Sequence, residues 1–222
     1  HGRALPLAQG VKMANKDLTV IASGGDGDGY AIGMGHTIHA LRRNMNMTYI
    51  VMDNQIYGLT KGQTSPSSAK GFVTKSTPKG NIEKNVAPLE LALSSGATFV
   101  AQGFSSDIKA LTKMIEDAIH HDGFSFVNVF SPCVTYNKVN TYDWFKEHLT
   151  SVDDIENYDS TDKQLATRTV IEHESLVTGI VYQDKETPSY ESQIKELDDT
   201  PLAKRDIKIT EDTFNALTEQ FI

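Results

Sequence analysis

Apolar and polar positions along the chain follow two alternating rhythms. Leu18-Thr19-Val20-Ile21-Ala22-Ser23 is a short apolar, β-branched run that stops in a glycine cluster, which predicts a buried strand. From Tyr30 to Arg43 the spacing is helical, with Ile32, Ile38 and Leu41 available to one face. Met47 to Met52 reads as the next strand, broken by Asp53-Asn54. The cycle then repeats. Leu89–Ser95 is helical in spacing and Thr98–Ala101 is a strand. Ser105 or Ser106 is placed to cap a helix carrying Ile108, Leu111, Ile115 and Ile119, with Gly123 to close it and Phe124–Phe130 as the following strand.

Such alternation predicts an α/β fold, a parallel sheet with helices on both faces. Ligands of these sheets sit at the carboxyl ends of the strands. That edge carries Gly24–Gly29, Asp53–Gly62 and Ser131–Cys133. Segment 61–86 is rich in Lys, Ser, Thr, Gly and Pro without periodicity, and is expected to be a mobile or substrate-facing loop. Further on, Ala166–Ile171 and Glu191–Leu197 have helical spacing. Thr210 is placed to cap a last helix, with Glu211 and Asp212 at its positive end.

Composition divides the 222 residues near position 150. Of the 16 glycines, 15 lie in 1–150, so close backbone approach to a ligand belongs there. Residues 151–222 carry a net −10 against +2 in 1–150, and are expected to form an acidic extension, packed on the core or on a partner. Two domains follow as an expectation, 1–150 for binding and 151–222 as the tail. Acidity argues against nucleic acid, and no apolar run approaches the ~18–20 residues that span a bilayer. Cys133 is the single cysteine, which excludes an internal disulfide and any metal–thiolate centre built from this chain alone. A reducing, cytoplasmic setting is expected. His1-Gly2-Arg3 lacks the charged-then-apolar pattern of a signal peptide, and the chain is expected to continue a longer gene product.

Gly24-Gly25-Asp26-Gly27-Asp28-Gly29 joins a strand to a helix, where backbone amides can hold a phosphate. The dinucleotide spacing Gly-x-Gly-x-x-Gly fails, and only the looser Gly27-x-Gly29-x-x-x-Gly33 fits. A carboxylate aimed at a diphosphate is repelled by it unless a divalent cation lies between them. Asp26 therefore points to Mg²⁺ bridging to a diphosphate, and a second strand end must supply more of its roughly six oxygens. Asn54 lies one βαβ return later, as an ordinary Asx turn or as that second donor.

Gly25-Asp26-Gly27 followed by Asn54 resembles the thiamine-diphosphate fingerprint. Together with His1-Gly2-Arg3, the stretch Val51–Gln63 and Ser131-Pro132-Cys133, it is similar to the β subunit of the archaeal and bacterial 2-oxoacid:ferredoxin oxidoreductases. The similarity covers at least residues 1–140, and the acidic C-terminal part also looks like that subunit's tail. The resemblance implies a thiamine-diphosphate-binding fold. By it, Asp26 and Asn54 offer side-chain oxygens to Mg²⁺ and Ile56 its carbonyl. Gly25, Gly27, Asp28, Gly58 and Leu59 would line the cofactor, with His1 and Gly2 nearby. Leu59 and Lys61 would face the substrate channel as the catalytic pair.

The family converts a 2-oxoacid, CoA and oxidised ferredoxin to acyl-CoA, CO₂ and reduced ferredoxin. It uses a 4Fe–4S cluster held by four cysteines. Cys133 matches the fourth ligand; the family's other three lie upstream of His-Gly-Arg and are absent from this sequence, so an upstream segment or another chain is expected to bring them. The partner α subunit supplies the activating glutamate. Two alternatives stand beside this reading: a ferredoxin-independent thiamine-diphosphate decarboxylase or carboligase, and a non-catalytic phosphate-binding module. His36 and His39, three apart, are expected to pack or face solvent rather than to hold a metal.

Overall fold

The structure, a computed structural model, describes all residues except Asp199 and Ile222. Six strands, β1 (Ile21–Gly25), β2 (Met47–Asp53), β3 (Phe99–Phe104), β4 (Phe124–Phe130), β5 (Thr150–Ser151) and β6 (Val177–Gln183), form one sheet. Their order is β1-β2-β4-β3-β6-β5. The first four are parallel, as the alternation predicts. β6 departs from that pattern and runs antiparallel to β3. The helix after β4 explains why. It spans Tyr142–His148 and sets Phe145 against Phe104 and Phe130, the last residues of β3 and β4. The chain therefore starts β5 at the carboxyl edge and must run back.

Side chains alternate between two layers, as the pleat requires. Helices α1 (Ala4–Ala14), α2 (Met34–Arg43), α3 (Pro88–Ser94) and α6 (Lys163–Glu172) cover one face over Tyr49, Val51, Val100, Phe126 and Val181. On the other face α4 (Ile108–His120) packs Met114 and Ala118 on Phe99, Ala101, Val127 and Val129. The helix at Tyr142–His148 is α5.

Several boundaries differ from the sequence reading, each for a local reason. β1 is an edge strand, so Ile21 is half exposed rather than buried. The chain does not enter the next helix directly. Gly33 N–H donates to the Asp28 carbonyl (2.9 Å), closing a wide turn over Asp28–Ile32 that rotates Ile32 into solvent while Leu41 stays in the core. Asp107, not Ser105 or Ser106, caps α4 by accepting from Ala110 N–H (3.0 Å), which leaves Ile108 outside the buried face. Glu191–Leu197 forms two single 3₁₀ turns instead of one helix. Thr210 does cap α7 (Glu211–Thr218), accepting from Thr213 N–H at 3.2 Å.

The expected boundary near residue 150 falls inside the sheet. Val177 and Val181 of β6 and Ala166 and Val170 of α6 belong to the main core, so residues 150–183 are no appendage. The acidic stretch beyond them straps the amino end of the sheet. Glu191, buried, accepts the Asn46 N–H through both oxygens (3.1 and 3.2 Å) and lies 3.7 Å from the equally buried Lys12 ammonium. Among the described residues, no helix is long and apolar enough to cross a membrane.

Candidate active site at the carboxyl edge

β1 and β2 are neighbours in register, Gly25 opposite Met52. Their ends therefore bring Asp26 and the Asp53-Asn54 turn side by side. Both aspartates are buried, at 3% and 2% exposure. Burial raises the pKa of Asp26, and burial together with the Asp26 charge pushes Asp53 up to about 7. Ser67 joins them: its Oγ lies 2.6 Å from Asp26 Oδ2 and 2.7 Å from Asp53 Oδ1. A hydroxyl has one proton to give. With both acids ionised, one of these contacts is an unscreened approach of oxygens, which a proton on one acid or a cation beside them relieves.

Behind Asp53 the polar chain continues into the sheet. Asn128 Nδ2 lies 3.4 Å from Asp53 Oδ2 and donates to Gln102 Oε1 (2.8 Å), while its Oδ1 accepts from Tyr30 Oη (2.6 Å). Gln102 Nε2 donates in turn to the Ser175 and Val177 carbonyls, each at 2.7 Å.

The glycines of the loop are there for room. Gly27 has ordinary right-handed backbone (φ −64°, ψ −28°), yet a Cβ on it would stand 2.0 Å from Tyr57 Cε1. A Cβ on Gly29 would meet Tyr49 Oη at 2.5 Å. The loop thus lies flat against two tyrosines and borders an open cleft of about 760 Å³, which Tyr57 also lines.

Of the residues expected around the cofactor, His1, Gly25, Asp26, Gly27, Asp28, Asn54, Ile56, Gly58 and Leu59 line this cleft. Gly2 and Lys61 do not. Gly2 (φ +70°) packs against Ile32 and Gly33, and its N–H donates to Asp28 Oδ1 at 2.5 Å. His1 Nδ1 lies 3.0 Å from the same oxygen. Lys61 sits exposed at φ +74°, on the turn closed by Gly62 N–H to the Tyr57 carbonyl (2.8 Å), beside Leu59, which is 99% exposed. Asn54 Oδ1 accepts from Ile56 N–H at 3.1 Å, so the Asx turn forms, and one lone pair remains for another partner. Cys133 is half-buried, its Sγ 3.6 Å from where a Gly58 Cβ would lie.

Segment 61–86 corrects the expectation of a mobile loop. Ser65, Ser67, Ser68, Phe72 and Asn81 are buried. Ser68 Oγ donates to the Gln55 carbonyl (2.6 Å) and accepts from Ser65 N–H (2.8 Å), and Asn81 Nδ2 donates to the Ser68 carbonyl (3.2 Å). The hydroxyls of Ser65, Ser67 and Ser68, which made this part of the segment look solvated, are spent internally, whereas Ser76 stays at the surface. Sequence reasoning missed Ser67 and Asn128. Neither lies near Asp26 in the chain, and their polar side chains carry no periodic signal. Tyr57 was within reach, standing inside the turn that the sequence singled out.

Among the described residues, no group of three His, Cys, Asp or Glu side chains is placed to hold a metal. His36 and His39 accordingly have no third ligand. The expected Mg²⁺ set is of another kind: one carboxylate, one amide oxygen and one backbone carbonyl, the hard oxygens that Mg²⁺ prefers. Asp26, Asn54 and Ile56 bound one cleft and fit that donor chemistry.

Residues 1–129 match the family described as thiamine pyrophosphate enzyme, C-terminal TPP binding domain, and residues 133–199 match the family described as the C-terminal part of the pyruvate ferredoxin oxidoreductase β chain. The β subunit of a 2-oxoacid:ferredoxin oxidoreductase from Sulfolobus sp. is 42% identical over 205 residues, 88% of this chain and 67% of that protein. The chain belongs to the 2-oxoacid:ferredoxin oxidoreductase β subunits. It is an enzyme subunit, an oxidoreductase by family. KorB of the Mycobacterium tuberculosis 2-oxoglutarate oxidoreductase is 47% identical over 137 residues, 62% of this β subunit and 37% of that protein. A solved structure, the 2-oxoglutarate:ferredoxin oxidoreductase from Magnetococcus marinus with 2-oxoglutarate, coenzyme A and succinyl-CoA bound, superposes with a TM-score of 0.85. It is 38% identical, covering 98% of this β subunit and 73% of that chain. The α/β architecture expected from the sequence is thus the architecture of the family.

Proposed function

We propose that this β subunit holds thiamine diphosphate and Mg²⁺ in the carboxyl-edge cleft and forms half of an active site. The completed enzyme oxidatively decarboxylates 2-oxoacids, 2-oxoglutarate and pyruvate among them, to acyl-CoA and CO₂ and passes the electrons to ferredoxin. One observation carries the reading: a glycine loop bearing a buried carboxylate shares its cleft with the Asn54 turn, in a chain whose family binds thiamine diphosphate.

Asp26, Asn54 and the Ile56 carbonyl are assigned to Mg²⁺, and Gly25, Gly27, Asp28 and Gly58 to the diphosphate and thiazolium. Bound there, thiamine diphosphate supplies the electron sink for decarboxylation. What the β subunit itself adds is geometric and electrostatic. The glycines let the loop pack closely on Tyr49 and Tyr57, so that its backbone borders the cleft, and Asp26 meets the diphosphate charge through the cation instead of opposing it. Asp28 ties the loop to His1 and Gly2. Leu59 and Lys61 are exposed on their turn, which leaves them free to meet the substrate and the α subunit. Cys133 fits one corner of a 4Fe–4S cluster, and the chain holds no second thiol, so three more must come from outside it. A reducing cytoplasmic setting suits such a cluster.

The test is co-assembly with the α subunit and the cysteine-bearing segment, followed by an assay of ferredoxin reduction. Reduction that requires both a 2-oxoacid and CoA supports the reading. Release of CO₂ without CoA and without ferredoxin reduction overturns it.

A further inference from the structure

We propose that Ser67 is a positioning residue for the cofactor's metal, its hydroxyl fixing the Asp26 carboxylate with Asp53 as the brace on the other side. This deepens the reading above and rests on Asp26 being the Mg²⁺ ligand. Asp26 stands between Gly25 and Gly27, so its neighbours in the chain offer no side chain to restrict its rotation. Mg²⁺ demands near-octahedral geometry, and a carboxylate that must be oriented on binding loses affinity to entropy.

Ser67 meets that need by giving its one proton to Asp26 at 2.6 Å, and Asp53 Oδ1 packs behind the hydroxyl, 2.7 Å from its oxygen. Both anchors are themselves fixed. Asp53 Oδ1 accepts from Gln55 N–H at 3.2 Å, and Asp53 Oδ2 faces Asn128. Ser67 rides on a closed turn: Ser68 N–H donates to the Ser65 carbonyl (3.0 Å), and Val86 N–H donates to the Pro66 carbonyl (2.8 Å). Within that turn Ser68 closes the loop and ties it to Gln55, while Ser65 also turns its hydroxyl toward Asp26; Ser67 makes the short contacts, reaching both acids and lying 3.4 Å from Ser65 Oγ. A hydroxyl kept only to close the turn would point inward. Partners of this kind, which orient a metal ligand without touching the metal, typically change metal affinity by roughly 10–100-fold when removed.

The assembled α/β enzyme, with thiamine diphosphate present at one fixed concentration for every variant, is titrated with Mg²⁺ by calorimetry, and the melting temperature of the metal-free assembly is recorded beside it. Ser67→Ala is expected to weaken Mg²⁺ binding about tenfold, while Ser67→Thr, which keeps the hydroxyl, returns most of that affinity. The metal-free melting temperature should not follow the same order. Unchanged Mg²⁺ affinity in Ser67→Ala overturns the proposal, and so does equal impairment of the Ala and Thr variants. Asp26→Ala separates the two layers. If it leaves Mg²⁺ binding intact, the metal assignment itself fails; if it abolishes binding while Ser67→Ala changes nothing, only the positioning role fails.

Discussion

Gly27 is the loop position where a Cβ would come nearest a neighbouring side chain, and a four-variant cycle with Tyr57 measures what that approach costs. A Cβ at Gly27 would lie 2.0, 2.6 and 2.8 Å from Cε1, Cζ and Oη of Tyr57. Carbon atoms in contact rest at about 3.5–4.0 Å, so an overlap of this depth expels the ring. Overpacking of this kind costs about 1–3 kcal/mol. The backbone itself raises no objection, because φ −64° and ψ −28° suit alanine. In a Tyr57→Ala background the clash is gone, and Gly27→Ala should stabilise by about 0.4–1 kcal/mol through lost freedom of the unfolded chain. The substitution therefore reverses sign between the two backgrounds, with a coupling of about 1.4–4 kcal/mol from the sum of those two effects. Urea unfolding of the purified subunit, followed by circular dichroism, measures all four corners. An equal effect of Gly27→Ala in both backgrounds would refute the steric account and return the glycine to a purely conformational role.

Three further outcomes follow from the same structure. Asp53, held at about 7 by burial and the Asp26 charge, keeps its proton more tightly folded than unfolded. The metal-free protein should lose melting temperature as pH rises from about 4 through 7, Asp53→Asn should flatten that slope, and a rise in melting temperature across the window would contradict the sign. Glu191→Gln removes the counter-charge of the buried Lys12 ammonium, which keeps only the Lys16 and Leu18 carbonyls, and should destabilise by about 3 kcal/mol; an unchanged denaturant midpoint would dismiss the pair. Lys61→Ala should lower kcat/KM for 2-oxoglutarate more than for pyruvate in the assembled enzyme, since the ammonium can pair with a distal carboxylate; an equal factor for both removes Lys61 from substrate choice.

What could be read from the sequence follows from how local each signal was. β2 and β4 carry largely apolar runs, and the loops at Asp26 and Asn54 end adjacent strands, so the centre of the site was legible. α1 was not, because Lys12 occupies a buried position on it and donates to the Lys16 and Leu18 carbonyls (2.6 and 3.0 Å), breaking the apolar stripe. β6 was missed for a related reason. Gly179 sits in it at φ +116°, where a Cβ would strike Val152 Cγ2 at 2.5 Å, and a glycine inside a short run reads as an interruption. Ser67 depends on a contact 41 residues away in the chain. Its hydroxyl looks solvent-directed in any window of sequence, and only the folded turn shows that it is buried between two acids.

Everything assigned to the cleft depends on Asp26 meeting thiamine diphosphate through a cation. Calorimetric titration of thiamine diphosphate into the assembled enzyme, with Mg²⁺ and with the metal chelated away, addresses this most directly. Binding should be strong only with Mg²⁺, and Asp26→Ala should abolish the difference, with Asn54→Ala milder because a neutral oxygen gives less than a charged one. Equal affinity with and without the metal in the unaltered enzyme would contradict the assignment.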